Sequence, residues 1–494
     1  MKPFTLITCM VISLSSYANN IKISNVTFAT QDKNNDYYMI EFDLSWENSW
    51  RTSTYETNWD AAWVFIKFTP KNIQNWQHAS LHYVNGVNDG HVAPTGGIIN
   101  TANNSYGNAN TGIGVFIYRD SDGIGNINFN QVQLRWDYGL DGVGDDDVIE
   151  ISVHAIEMVY VPQGAFQVGD GMGDFGQFEA GNTGNPFTIS SEGALTLGGT
   201  NVNNLSNNDA LNQQFADDFN YATTQSLPAD FPKGYHAFYC MKYEVSQEQY
   251  AAFLSHLTQT QRSDRTEVIY INNINVYPIA TGNHYATPDF PSRAMDYTNW
   301  ADVAAYLDWA GLRPMSELEY EKATRGVNDP VPEEYAWGND TWYLEGIYTL
   351  QNEGTEDEII VSGIGENVGN ANSVSIYQGW ERPLRCGIFA ASAINKTREE
   401  TGASYWGIME LTGNCYERVI SVGESQARDF SGFHGNGSLQ ASGNASFFLL
   451  TDWAFVSSIG AGFRNSEISQ RYLINTWDAD RNRSYGIRGI RTAP

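Results

Sequence analysis

Cysteine is scarce in this chain: four in 494 residues, at positions 9, 240, 386 and 415, with no Cys-x-x-Cys spacing. That removes the main support for a structural zinc or dithiol redox motif, both of which need closely spaced thiols. Positive charge is also short. Lys and Arg number 28 against 57 Asp and Glu, for a formal net charge of -29. An envelope this acidic repels phosphodiester backbones and anionic bilayers, so neither nucleic acid nor a membrane surface is an expected partner. No stretch beyond the amino terminus approaches the roughly 18 consecutive apolar residues of a membrane-spanning helix, so no membrane span is expected. Hydrophobic residues at 41% and aromatics at 13% are what remain in quantity. They place the chain among folded globular proteins with material for two or three domains.

Met1-Lys2, the apolar run Phe4–Leu14 and Ser16-Tyr17-Ala18 form a positive start, a short apolar centre and a small-x-small cleavage site. This predicts a signal peptide over residues 1–18, cleaved near Ala18, and a secreted, periplasmic or cell-surface protein. Cys9 follows Leu6-Ile7-Thr8 but sits too early in the apolar run for a lipoprotein box. Cleavage leaves Cys240, Cys386 and Cys415, an odd number, so at most one disulfide is expected.

From residue 19 to 155 short runs rich in Val, Ile, Phe, Tyr and Trp alternate with Asn, Asp and Gly clusters. The runs are Ile21–Phe28, Tyr37–Trp46, Ala61–Phe68, Ala79–Val84, Thr111–Tyr118, Gln131–Trp136 and Val148–Ala155. No helical period interrupts them, and the expected fold of residues 19–155 is an all-β sandwich. His78 and His82 have the spacing of a helical metal pair, but on a strand their side chains lie about 13 Å apart, too far to share an ion. The acidic segment Asp141–Asp147 reads as an ordinary turn.

The character changes near Met158, which sets the expected second domain at 156–494. An Asn- and Gly-rich segment from Gly169 to about Asp230 reads as a long surface insertion. Helices are predicted over Gln247–Leu257, Trp300–Ala310 and from Ser316 to about Arg325, the last opened by the capping box Ser316-Glu-Leu-Glu319. The rest reads as turn and short strand. In Glu410-Leu-Thr-Gly413-Asn-Cys415-Tyr-Glu417 two carboxylates flank a glycine turn with two available main-chain carbonyls. That set suits a hard divalent cation, which prefers oxygen; a strand-turn-strand with solvated acids is the plainer account.

Six pieces then fall in register. They are Val161-Pro-Gln-Gly-Ala-Phe-Gln-Val-Gly169, Glu244-Val-Ser-Gln-Glu-Gln-Tyr250, Leu312-Arg-Pro-Met-Ser-Glu-Leu-Glu-Tyr-Glu-Lys-Ala-Thr-Arg-Gly326, Trp337-Gly338, Gly413-Asn-Cys-Tyr-Glu-Arg418 and Tyr485-Gly-Ile-Arg488. Together they resemble the sulfatase-modifying-factor family, whose best-known member is the formylglycine-generating enzyme. The resemblance covers the chain from Met158 onward. It implies an α+β, C-type-lectin-like fold rich in irregular structure. It also implies a structural calcium held by the side chains of Glu410 and Glu417 and the carbonyls of Gly413 and Cys415. A second family calcium site would begin at Asn372 and Ser373, but the expected later acid is missing where Arg382, Pro383, Leu384 and Arg385 stand.

The family's oxidase binds copper through two cysteines shortly before its closing motif, because thiolates are soft ligands for Cu(I). The corresponding stretch is Phe463-Arg-Asn-Ser-Glu-Ile468, and no cysteine follows Cys415. Copper is therefore not expected, and the domain reads as catalytically empty. The H-x-x-x-H-x-E signature of the family's iron-dependent branch is also absent. The expected function is a secreted bacterial binding or structural module, stabilised by calcium, whose partner is an extracellular protein or carbohydrate. Trp477, Asp478, Asp480 and Arg481, in a polar segment near the C-terminus, are candidate ligand contacts. Two alternatives stay open: a non-copper enzyme acting on a secreted peptide or metabolite, and a cell-surface component of a secretion or gliding apparatus.

Overall fold

One strand, β3 (Asp60–Pro70), joins the two parts of the chain, because nearly every residue in it is buried. Ala62, Val64, Ile66 and Phe68 enter a core with Phe42, Leu44, Val132 and Leu134. Ala61, Trp63 and Phe65 point the other way, into a core with Phe253, Trp309 and Leu312. Side chains alternate faces along a strand, so an unbroken apolar run such as Ala61–Ile66 is the signature of burial on both sides.

The computed structural model describes residues 20–71, 73, 75–104, 110–172, 176–208, 217–278, 284–343, 348–372, 382–446, 467–471, 481 and 485–494, and the backbone of 456–459. The molecule is mostly strand, with several sheets and few helices. β1 (Lys22–Asp32), β2 (Tyr37–Arg51), β4 (Gln77–His78), β5 (Leu81–His82), β6 (Gly97–Asn103), β7 (Thr111–Arg119), β8 (Gly123–Trp136) and β9 (Ile149–Val161) accompany β3. The main sheet runs β1-β2-β8-β5-β7-β3-β9, with β4 on β3 and β6 on β7. It does not stop there. The strand Phe238–Met241 pairs with the end of β9, and the C-terminal strand Ile490–Thr492 pairs with Phe238–Met241.

The expected boundary between residues 155 and 156 therefore lies inside β9, which pairs with β3 from Pro70↔Ile149 to Asp60↔Val159. β6 was not expected, and β8 starts at Gly123 rather than Gln131. The cause is a bulge: Gln131 sits at φ +55° and the register with β2 shifts beside it, so the strict apolar alternation is broken there.

The segment after Gly169 differs from the expected surface insertion. Four short strands, Phe178–Ala180, Leu195–Leu197, Leu205–Asn207 and Gln225–Leu227, form a sheet of their own. Phe178, Phe187, Ile189, Leu197, Leu205 and Leu227 from this segment are buried in the same core as Trp63. Its apolar residues are spaced too widely for a periodic signal, yet these six are anchored inside, while Val202 and Tyr221 stay exposed. Gly169 shows how tight this packing is. It has φ +77°, a Cβ there would lie 1.8 Å from the Phe178 carbonyl oxygen, and its N–H donates to Glu321 at 2.9 Å.

Four described helices open with capping boxes; three of them are α1 (Gln247–Ser255) with Ser246 and Gln249, α2 (Trp300–Trp309) with Asn299 and Asp302, and α3 (Glu317–Arg325) with Ser316 and Glu319, the last as its sequence predicts. Every residue of α3 is buried, charged ones included. Glu319 pairs with Arg313 through two hydrogen bonds of 2.8 and 2.7 Å. Arg325 pairs with Glu321 and Glu334, and Glu317 pairs with Arg471, which also holds Asp217. Among the described residues no helix is long and apolar enough to cross a membrane.

Candidate functional site

The turn at Gly413–Glu417 is held from four directions. Gly413 has φ +92° and Asn414 φ +59°, a left-handed pair that reverses the chain and that glycine and asparagine tolerate best. Asn414 donates its N–H to the Asn372 carbonyl at 2.7 Å and accepts at its side-chain oxygen from the Leu384 N–H at 2.9 Å. Behind the turn stands Glu244. It accepts from the Cys415 N–H at 2.8 Å and from the Asn414 side-chain amide. The Glu417 carboxylate accepts from Arg488 Nε, and the same guanidinium donates to the carbonyls of Met241 at 2.8 Å and Met409 at 2.9 Å. Glu410, also left-handed at φ +56°, accepts from the Gly387 N–H at 2.6 Å.

Three carboxylates, Glu244, Glu410 and Glu417, thus share one buried region with the Arg488 guanidinium, and the charge of Arg385 also reaches Glu410. None is more than 5% exposed. Burial raises all three above the usual carboxylate range. It pushes Glu410 up to about 7 against the attraction of Arg488. In Glu244 the nearby Glu410 charge adds to burial. Burial opposes charge on Arg488 too, but Glu417, Cys240 and Glu244 together outweigh it and keep the guanidinium protonated.

The chemistry of this donor set fits a hard cation. Glu410 Oε2 and Glu417 Oε2 are buried without a hydrogen-bond partner, and the carbonyls of Gly413 and Cys415 accept no backbone hydrogen bond among the described residues. Two carboxylate oxygens and two carbonyls would satisfy a calcium ion and be satisfied by it. Among the described residues no three His, Cys, Asp or Glu side chains converge to hold a metal without such carbonyls. Glu244 and Arg488 were in the landmark motifs but not among the expected site residues. Their signal was a charged residue inside an apolar strand context, and it becomes legible only once the fold brings the motifs together.

Other candidates fare differently. Trp477, Asp478 and Asp480 lie outside the described residues, as do residues 1–19, Ser373 and residues 463–466. Arg481 is described, and its guanidinium is engaged within the molecule. It donates to Asp302 at 2.8 and 3.1 Å and to the Asp264 carbonyl at 2.7 Å. Asn372 lies against the turn, its amide 3.4 Å from the Asn414 side chain. His78 and His82 have separate partners, the Ile113 carbonyl and the Asp137 carboxylate. In the acidic turn, Asp141 accepts from Ser80 and from the Trp136 indole. Cys240, Cys386 and Cys415 are free and buried. Burial pushes the Cys240 thiol up to about 12 and raises the other two as well.

Comparison with known proteins agrees with the converging landmarks. Residues 150–475 match the family model described as a sulfatase-modifying factor enzyme 1-like domain. A formylglycine-generating enzyme from Thermomonospora curvata is 27% identical over 123 residues, which is 20% of this chain and 40% of that relative. The match thus spans less than half the relative's length. The family match begins at the start of β9, includes α1, α2, α3 and the Gly413 turn, and covers well over half of the chain. This chain belongs to the family of proteins with a sulfatase-modifying factor enzyme 1-like domain.

Proposed function

We propose that this protein is an exported binding or structural module, with a family domain that is catalytically empty and stapled by calcium at the Glu410–Glu417 turn. The state of the thiols carries the first part. Oxidation of a substrate cysteine by copper requires a pair of accessible thiolates. The chain has no cysteine beyond position 415, and each of the three described cysteines is 0% exposed. Burial holds these thiols protonated, so none is a ligand in waiting for Cu(I). The name of the Thermomonospora curvata relative says that it generates formylglycine; that activity is not proposed for this chain.

The buried cluster that Phe42, Val64, Val115 and Val132 share supports the reading of residues 19–155 as a β-sandwich. The short strands and long irregular stretches beyond Val161 support the lectin-like reading of the rest. A fold of that kind gains from a cation that ties a loop to the core. Here Glu410, Glu417 and the carbonyls of Gly413 and Cys415 would hold the ion. Calcium supplies charge compensation there, and Arg488 provides part of the same compensation from the other side of Glu417.

That pairing shapes the test. Glu417→Gln leaves Arg488 short of its partner and lowers stability with or without calcium, so the informative quantity is the calcium-dependent rise in melting temperature. The wild type should melt several degrees higher in calcium than in chelator, and Glu417→Gln and Glu410→Gln should lose that increment. A wild-type melting temperature indifferent to calcium would rule out the assignment. Incubation with copper, oxygen and a cysteine-containing peptide should give no oxidised product.

A further inference from the structure

Between the end of β2 with the loop that follows it and the segments 385–391 and 405–409, an open cleft of about 820 Å³ lies between the two parts of the chain. Lys242 and Arg385 line it from the later part, and Trp50 from the earlier, with Tyr243 and Tyr405 beside them. None of these belongs to the Gly413 turn.

The Lys242 ammonium is 2% exposed and makes no hydrogen bond. Its nearest carboxylates, Asp60 at 3.6 Å and Glu157 at 3.7 Å, stand beyond hydrogen-bond reach. Asp60 already accepts three other hydrogen bonds, from the Trp46 indole at 2.9 Å, the Ser49 hydroxyl at 2.7 Å and the Trp50 N–H at 3.1 Å. Both oxygens of Glu157 lack a partner, and burial pushes this acid up to about 8. Lys242 keeps its charge nonetheless: burial opposes it, and Glu157, Tyr243 and Asp60 together outweigh burial. Arg385, 9% exposed, has an Nε that also finds no acceptor among the described residues. Two cations with unused donors therefore line one cleft. Unmade hydrogen bonds of buried charged groups are costly, and an oxyanion is the ligand that makes them.

The walls say more about its size. The Lys242 ammonium lies 4.9 Å from the Trp50 ring centroid and 5.4 Å from that of Tyr243. Both residues are partly exposed and line the cleft. Glu47 and Glu56, exposed at the mouth, repel a polyanion. We infer that this cleft binds a small molecule carrying one carboxylate, sulfate or phosphate group on a ring-sized body, the anion against Lys242 and Arg385 and the ring against Trp50. The inference rests on the binding-module reading and deepens it by naming its site and ligand class.

The test is titration calorimetry on the full chain with D-glucuronate and benzoate, using glucose, benzamide and inorganic sulfate as controls. At least one ring-sized anion should bind, and its neutral counterpart should not. Lys242→Met alone leaves Asp60 and Glu157 without their cation and threatens folding, so the double variant Lys242→Met/Glu157→Gln and the single Arg385→Gln are the variants to compare. Each should weaken binding at least about tenfold while melting cooperatively. Failure of both anions to bind, or equal affinity in folded variants, overturns the proposal. Equal binding of glucose or benzamide overturns the anion's role, and sulfate binding as tightly as either probe overturns the ring's. Chemical conversion of a bound probe would leave the cleft standing and overturn the binding-module reading instead.

Discussion

His91 shows how a single buried side chain makes stability depend on pH. Its Nδ1 accepts the Arg135 N–H at 2.9 Å, which fixes the neutral ring with its proton on Nε2. Burial lowers its pKa to about 4; Asp89 and Asp137 pull it back up, while His82 and Arg135 push it down. Below pH 6.5 the unfolded chain takes up a proton here that the folded chain refuses until the pH nears 4. This contribution is complete above pH 6.5 and drains away as the pH falls toward 4, about 3 kcal/mol in all. His256, lowered to about 3, adds to the same trend. His91→Asn keeps an acceptor for the Arg135 N–H without the titration. Its melting temperature should fall less steeply than the wild type's between pH 6.5 and 4.5, and parallel slopes would rule out His91 as a source. Gly169→Ala, by contrast, should abolish soluble expression, because the new methyl would need the space of the Phe178 carbonyl.

At the scale of the element, α3 shows what its own sequence can and cannot announce. Ser316 and Glu319 start the helix by a local rule, with the Glu319 N–H donating to the Ser316 hydroxyl at 3.1 Å. The same Glu319 carboxylate then takes Arg313 from outside the helix. A charged helix is ordinarily a solvated one, yet here each charge is buried against a partner, as far away as Arg471. Removing one partner of such a pair strands the other. Arg313→Met should cost about 3–5 kcal/mol in urea unfolding, and Arg313→Met/Glu319→Gln should recover a large part of it. A single variant within error of wild type would mean that Glu319 finds other compensation.

For the whole molecule the decisive feature is the sheet that passes from β1 through β9 to the C-terminal strand. Trp63 donates its indole N–H to the Ala310 carbonyl at 2.8 Å, and Lys67 donates to the carbonyls of Trp309 and Gly437, both at 2.7 Å. The two parts therefore share cores and hydrogen bonds, and they should unfold together. Calorimetry should show one transition, and Trp63→Ala should lower it by about 3–5 kcal/mol without splitting it. Two separated transitions would contradict the shared sheet.

Local chemistry determined a good deal. Capping boxes place α1, α2 and α3 within two residues of their expected ends, because a cap and an apolar face are settled by near neighbours. The six motifs marked the family for the same reason: each is a short turn or cap with its own residue demands. Distance along the chain hid the rest. Glu244 meets Cys415 across 171 positions and Glu417 meets Arg488 across 71, so no window on the sequence contains the site. The apolar residues between Gly169 and Asp230 look like surface until a core reaches out to them. Lys242 reads as one more charge after a strand until β3, β9 and Trp50 enclose it. Short-range hydrogen bonding is written into neighbouring residues; burial of charge is decided only when distant strands close over it.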